Sequence, residues 1–172
     1  MIGYNMSDNS EKILCQFMTA DRIREIDREI AKYPADQKQS AVMAALRIAQ
    51  DQHGHLTQEL MDAVAEYLEM PAIAVYEVAT FYTMYEKKPA GRHLINVCTN
   101  ISCQLCGSTG IVEHLQDKLG IQAGETTPDG RFSLRTVECL GACVNAPMMQ
   151  VDKTYHEQLT SEKVDEVLEQ YP

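Results

Sequence analysis

The chain lacks any run of roughly eighteen uncharged apolar residues, the length a membrane-spanning helix needs. It also lacks an excess of positive charge. Its 15 Lys and Arg stand against 25 Asp and Glu, a formal net charge of −10. That balance argues against a nucleic-acid surface and against an anionic membrane surface, because both need a basic face. Residues 1–90 hold 9 basic and 14 acidic residues and residues 91–172 hold 6 and 11, so each half is near −5 and neither is a special acidic tail. The opening residues, Met1 to Ser10, have no basic start, no apolar core and no cleavage site. They read as part of a disordered lead over residues 1–14 rather than a secretory or transit signal, which places the chain in a reducing cytosol. No glycine-rich phosphate or dinucleotide loop occurs anywhere, and there is no internal repeat.

What is present, in 172 residues, is enough for one domain or a small domain plus an appendage. Residues 15–90 read as a helical bundle. Thr19 caps a first helix whose Ile23, Ile26 and Ile30 share one face, ended by Tyr33-Pro34. Ser40 begins a second, stopped at His53-Gly54. Thr57 caps a third with Leu60, Met61, Val64, Ala65 and Leu68 as its stripe, and Pro71 suits the first position of a fourth. Four short helices with brief connections predict a four-helix bundle. His53 and His55 are read as helix-end and surface residues, because no further ligands accompany them. Phe81, Tyr82 and Tyr85 form an aromatic end to the fourth helix, to pack on the second half or on a partner.

Pro89-Ala90-Gly91 marks the break. From residue 91 the period changes to that of strands: His93–Val97, ending at Cys98, then Phe132–Val137, then Met148–Val151 with Asp152-Lys153 as a hairpin turn. Helices open at Gly107-Ser108 and at Ser161. This is the outline of a thioredoxin-like α+β layer over residues 91–172.

The chemistry sits in the cysteines. Cys98 and Cys103 form one pair, Cys139 and Cys143 another, and both follow strand-like runs. Four thiolates held on loops after rigid strands suit an iron–sulfur cluster or a zinc ion. Gly141 and Gly107 let backbone N–H groups approach sulfur, and the helix opening at Gly107-Ser108 turns its positive end toward the first pair. Ile101, Leu105, Leu140, Val144, Met148 and Met149 are expected to shelter the centre from water. Cys106 has three readings. It could be a third ligand in a Cys-x4-Cys-x2-Cys run, half of a Cys-x-x-Cys redox pair with Cys103, or a small buried residue under the cluster loop. Cys15 stands alone.

Taken together, the motifs resemble a known family. Cys98-Thr99-Asn100-Ile101-Ser102-Cys103, Thr126-Thr127-Pro128-Asp129-Gly130-Arg131-Phe132 and Glu138-Cys139-Leu140-Gly141-Ala142-Cys143-Val144-Asn145-Ala146-Pro147 resemble those of the small iron–sulfur (E-type) component of bacterial NADH–quinone oxidoreductase. Gly54-His55-Leu56, Val78-Ala79-Thr80-Phe81-Tyr82 and Pro89-Ala90-Gly91-Arg92-His93 carry the likeness through the helical half. The resemblance implies a thioredoxin-like [2Fe–2S] ferredoxin domain behind a helical bundle, with Cys98, Cys103, Cys139 and Cys143 as the cluster ligands and Cys106 outside the ligand set. It implies an electron-transfer subunit of respiratory complex I on the cytoplasmic side of the inner membrane. FMN and NADH would then sit in a flavin-binding partner subunit, and no residue of this chain would be catalytic. NAD-linked hydrogenases and formate dehydrogenases use equivalent subunits, so they are the alternative hosts. A thiol–disulfide oxidoreductase using Cys103 and Cys106 and a structural zinc module remain as other readings. Thioredoxin-like folds often hold a cis-proline before a strand near the active loop, which makes Pro147 a candidate.

Overall fold

A computed structural model describes residues 14–172; the expected disordered lead lies outside them except for Leu14. The chain divides into two compact units, Met1–Pro89 and Ala90–Pro172.

The first unit is helical. Residues 14–17 are helical, followed by α1 (Ala20–Ile30), α2 (Val42–His53), α3 (Gln58–Tyr67) and α4 (Ala72–Phe81). Local chemistry sets their ends. The Thr19 and Thr57 hydroxyls accept from the backbone N–H groups of Arg22 and Leu60, satisfying donors that an open helix start leaves free. Gly54 closes α2 in the left-handed region, at φ 77°. The polar stretch Ala35–Ala41 winds as a 3-10 helix, so α2 starts at Val42, two residues after Ser40. Pro71 precedes α4 in extended geometry instead of standing inside it. Leu14, Ile26, Leu46, Ile48, Leu56, Leu60 and Val75 are fully buried in one shared core.

The second unit is a four-stranded sheet with helices. Its elements are β1 (His93–Cys98), α5 (Ile101–Leu105), α6 (Ser108–Leu119), β2 (Phe132–Val137), β3 (Met149–Val151), β4 (Thr154–His156) and α7 (Ser161–Glu169). Strand order is β2-β1-β3-β4. β1 and β2 run parallel from His93↔Phe132 to Cys98↔Val137, while β3 pairs antiparallel with β1 and with β4. A parallel pair needs a crossover, and α6 supplies it. Ile95, Val97, Leu134, Met149 and Val151 pack with Ile111, Leu115, Val164, Val167 and Leu168. Gly91 lies so close to β2 that an added Cβ would meet the Phe132 carbonyl carbon at 2.8 Å. Its own N–H donates to Ser133 Oγ at 2.7 Å.

Two elements depart from the sequence expectation. β4 makes a fourth strand where only the turn at Asp152-Lys153 was legible. The first cysteine pair does not bracket a plain loop, because α5 intervenes. Asn100 caps α5 by accepting from the Ile101 N–H at 2.7 Å, a local bond that competes well in so short a segment.

Candidate metal centre

Parallel pairing brings the carboxyl ends of β1 and β2 together, and in sheets of this kind the loops beyond those ends build the site. The Thr99 N–H donates to the Val137 carbonyl at 2.9 Å, the Cys98 N–H to the Met148 carbonyl at 3.2 Å, and the Cys98 thiol to the Glu138 carbonyl at 3.3 Å. Three segments far apart in sequence are thus pinned around one end of the sheet.

Cys98 and Cys103 are buried there with Met148, and Leu140, Ala142 and Ala146 pack half-buried against them. Burial, chiefly, pushes the Cys103 thiol up to about 11; a hydrogen bond with Cys98 adds to this, and Cys143 is near enough to raise it further. A backbone hydrogen bond from Met148 acts in the opposite direction. Cys139 and Cys143 are exposed free thiols on the second loop. That loop turns at Gly141, whose φ of +86° favours glycine, and Cys143 opens a 3-10 turn, Cys143–Asn145. Asn145 Nδ2 donates to Glu157 Oε2 at 2.7 Å and the Tyr155 hydroxyl to the Leu140 carbonyl at 2.7 Å, tying the loop to the β4 side. The Ala146–Pro147 bond is cis, as expected for that position.

The structure therefore gathers Cys98 and Cys103 tightly, with Cys143 within electrostatic reach and Cys139 on the same loop. Among the described residues, no three His, Cys, Asp or Glu side chains converge closely enough to hold an ion. The donor set still fits an iron–sulfur centre: soft thiols at the ligand end of the fold and a backbone N–H on sulfur.

Several expectations require correction. Cys106 is not buried under a cluster loop; it is exposed at the end of α5. A redox pair asks for a thiol lowered at a helix start, whereas Cys103 is raised and lies within α5. Ile101, Leu105 and Val144 do not shelter the site: they are 70%, 83% and 96% exposed. Met148 and Met149 are buried, Met149 in the core of the sheet. His53 is exposed at the end of α2, with Nε2 2.8 Å from the Phe17 carbonyl. Of the aromatic end of α4, Tyr85 is buried and donates to the Met43 carbonyl at 2.9 Å. Phe81 stands 77% exposed, its ring edge-on to Tyr82 at 5.0 Å. Sequence reading saw Ser108 only as part of a helix start. Its serine at the first position of a buried i, i+3, i+7 stripe was the available signal.

The chain belongs to the thioredoxin-like [2Fe–2S] ferredoxin family, whose model matches residues 26–172. Among its relatives is an E-type component (the second of that name) of the NADH-quinone oxidoreductase of Rhizobium meliloti (strain 1021), 49% identical over 147 residues and 86% of each chain. The E-type component of the same enzyme in Rickettsia bellii is 48% identical over 141 residues, covering 81% of this chain and 84% of that one. The mitochondrial NADH dehydrogenase (ubiquinone) flavoprotein 2 of Dictyostelium discoideum is 42% identical over 164 residues, covering 95% of this chain and 66% of that one. An NAD+-reducing [NiFe]-hydrogenase, 21% identical, shares the fold with a TM-score of 0.66 over 76% of this chain, which spans 22% of that larger chain.

Proposed function

We propose that the chain is the electron-transfer subunit of a bacterial NADH–quinone oxidoreductase, carrying one [2Fe–2S] cluster on Cys98, Cys103, Cys139 and Cys143. The observation that carries this reading is the buried Cys98–Cys103 pair at the joined ends of β1 and β2, facing the loop that holds the other two thiols. When bound, such a cluster accepts and returns one electron at a time. The chain's own residues hold and tune it. Cys98 and Cys103 provide a preformed half-site, and the Cys139–Cys143 loop must bring its two thiols inward to complete the set. Met148 directs its backbone N–H at sulfur, which favours added negative charge. No residue acts as acid, base or nucleophile.

The sequence carries no glycine-rich dinucleotide loop, which fits FMN and NADH sitting in a flavin-binding partner of the same complex. Residues 15–90, read as a four-helix bundle, would dock on that partner, and residues 91–172 form the cluster domain. No helix among the described residues is long and apolar enough to cross a membrane, which fits a peripheral position on the cytoplasmic face, held by neighbouring subunits. The hydrogenase fold neighbour keeps an NAD-linked hydrogenase host as the second reading. Identity near 48% to the NADH-quinone oxidoreductase relatives, against 21% to the hydrogenase, favours the respiratory host.

Anaerobic reconstitution of the full chain with iron and sulfide tests the assignment. About two irons per chain and a one-electron EPR signal on reduction are expected. Serine at any of the four positions should abolish both, whereas Cys106→Ser and Cys15→Ser should retain them. A colourless, EPR-silent chain holding stoichiometric zinc would refute the proposal.

A further inference from the structure

Among the described residues, Ser108 Oγ is the only buried side-chain nitrogen or oxygen with no hydrogen-bond partner. Ser108 is fully buried, and Ile111 and Leu115 three and seven positions on are buried too, so all three lie on the face of α6 turned into the core. The first position of that stripe is therefore a hydroxyl where an apolar side chain would pack at lower cost. The other buried hydroxyls of this unit are used: Thr127 donates to Asp129, and Ser133 pairs with Thr126 and accepts from Gly91.

Topology sets where this hydroxyl lies. β1 ends at Cys98, and β2 begins at Phe132, opposite His93. The crossover helix must therefore start at the cysteine end of the sheet and finish at the other. Ser108 begins α6, five residues beyond the buried Cys103, and the consecutive helices α5 and α6 pack together. The residue before it, Gly107, sits at φ +93° and offers no side-chain cap. The opening of α6 thus presents a buried O–H and uncapped N–H groups at the end of the sheet where the thiols gather. Hydrogen-bond donors of this kind suit an anionic sulfur.

We propose that Ser108 is a positioning residue for the cluster, its Oγ–H donating to a cluster sulfur. This rests on the cluster reading above and adds to it a side chain that no ligand pattern contains. A donor to sulfur stabilises the reduced centre, which carries one more negative charge, over the oxidised one.

The test compares full-length wild type, Ser108→Ala and Ser108→Thr, each loaded anaerobically with iron and sulfide. Three quantities are read: iron content, the midpoint potential, and exchangeable-proton couplings to the reduced centre by electron–nuclear double resonance in H2O and D2O. Alanine should load fully, lose one exchangeable coupling and disfavour reduction about threefold to tenfold, tenfold being 59 mV for one electron. Threonine, which keeps the hydroxyl, should restore both. The unloaded alanine chain should melt no lower than unloaded wild type, because the hydroxyl has no partner to lose. A loaded alanine variant with unchanged potential and couplings overturns the inference and leaves a trapped water as the hydroxyl's partner. Failure of wild type to load overturns the proposed function and this inference with it, so the two failures are distinguishable.

Discussion

The two units spend their apolar residues differently. In the helical unit, α4 reads Ala-Ile-Ala-Val-Tyr-Glu-Val-Ala-Thr-Phe, with a single charge. It buries Val75 and Ala79, and it leaves Ile73 and Phe81 exposed, as is Met84 just beyond. A helix apolar all round is normally covered on every side. In the sheet unit, the exposed apolar residues Ile101, Leu105 and Val144 stand on the segments that carry the thiols. α4 carries no cysteine, whereas Ile101, Leu105 and Val144 neighbour Cys103 and Cys143 in the chain. Exposed apolar side chains thus lie on a helix without cysteine in one unit, and on the cysteine-bearing segments in the other.

Core truncation should separate the units most strongly. Leu46→Ala and Leu134→Ala each remove a fully buried leucine, one from each core, and each should cost about 2–5 kcal/mol. Only Leu134→Ala should shorten cluster lifetime in the reconstituted chain. Denaturation followed at the visible absorption band, beside residue-resolved hydrogen exchange, measures both effects. If Leu46→Ala released the cluster as readily, the division of labour would collapse.

A smaller effect is expected on the outer face of α4. Phe81→Glu should leave chain stability within about 0.5 kcal/mol, as exposed substitutions do. It should weaken assembly with the flavin-binding subunit at least tenfold, which is about 1.4 kcal/mol. Titration calorimetry on the purified pair reads this. Unchanged affinity would remove α4 from the docking surface.

The smallest effect is in pH response, where the units differ on the acid side. In the sheet unit the Thr127 hydroxyl and the Arg131 N–H hold the Asp129 carboxyl below its usual range. His114, then Lys118, do so for Asp165, and Thr160 for Glu162. Burial, then Lys163, lowers His156. Groups with lowered folded values add stability above their unfolded values and lose it as pH falls through the folded ones. In the helical unit, the Asp62 bond raises Tyr76 and burial raises Tyr85. Their contribution is complete below about 10 and is lost as pH climbs through the raised values. Hydrogen exchange across pH should show the sheet unit opening first in acid, whereas in alkali the raised Cys103 weakens the sheet unit as Tyr76 and Tyr85 weaken the helical one.

The parts legible in sequence were those fixed by neighbouring residues. Thr19, Thr57 and Gly54 bound helices because a cap is satisfied within one turn. The Phe132–Val137 alternation gave a strand for the same reason. Two pairs of cysteines after strands pointed to the site. What escaped depended on distant partners. No periodicity says that β1 lies between β2 and β3, or that a two-residue turn at Asp152 leads to a pairing strand. The outward face of Ile101, Leu105 and Cys106 escaped because backbone bonds such as Gln104 N–H to the Asn100 carbonyl wind this segment into a helix, and helical winding redirects side chains that a loop would have left free. Ser108 escaped because serine at a helix start reads as a cap, while here Gly107 takes that position.

The central place of β1 has a mechanical consequence. Detaching it requires breaking a ladder on each side, with β2 and with β3, whereas β2 has a full ladder with β1 alone and, on its outer side, only the short pairing with residues 124–127. Cys98 ends the strand with two full ladders, and Cys139 lies just past the strand with one. A centre shared by the two cysteine loops would thus sit in a vice whose fixed jaw is the end of β1 and whose travelling jaw is the loop after β2.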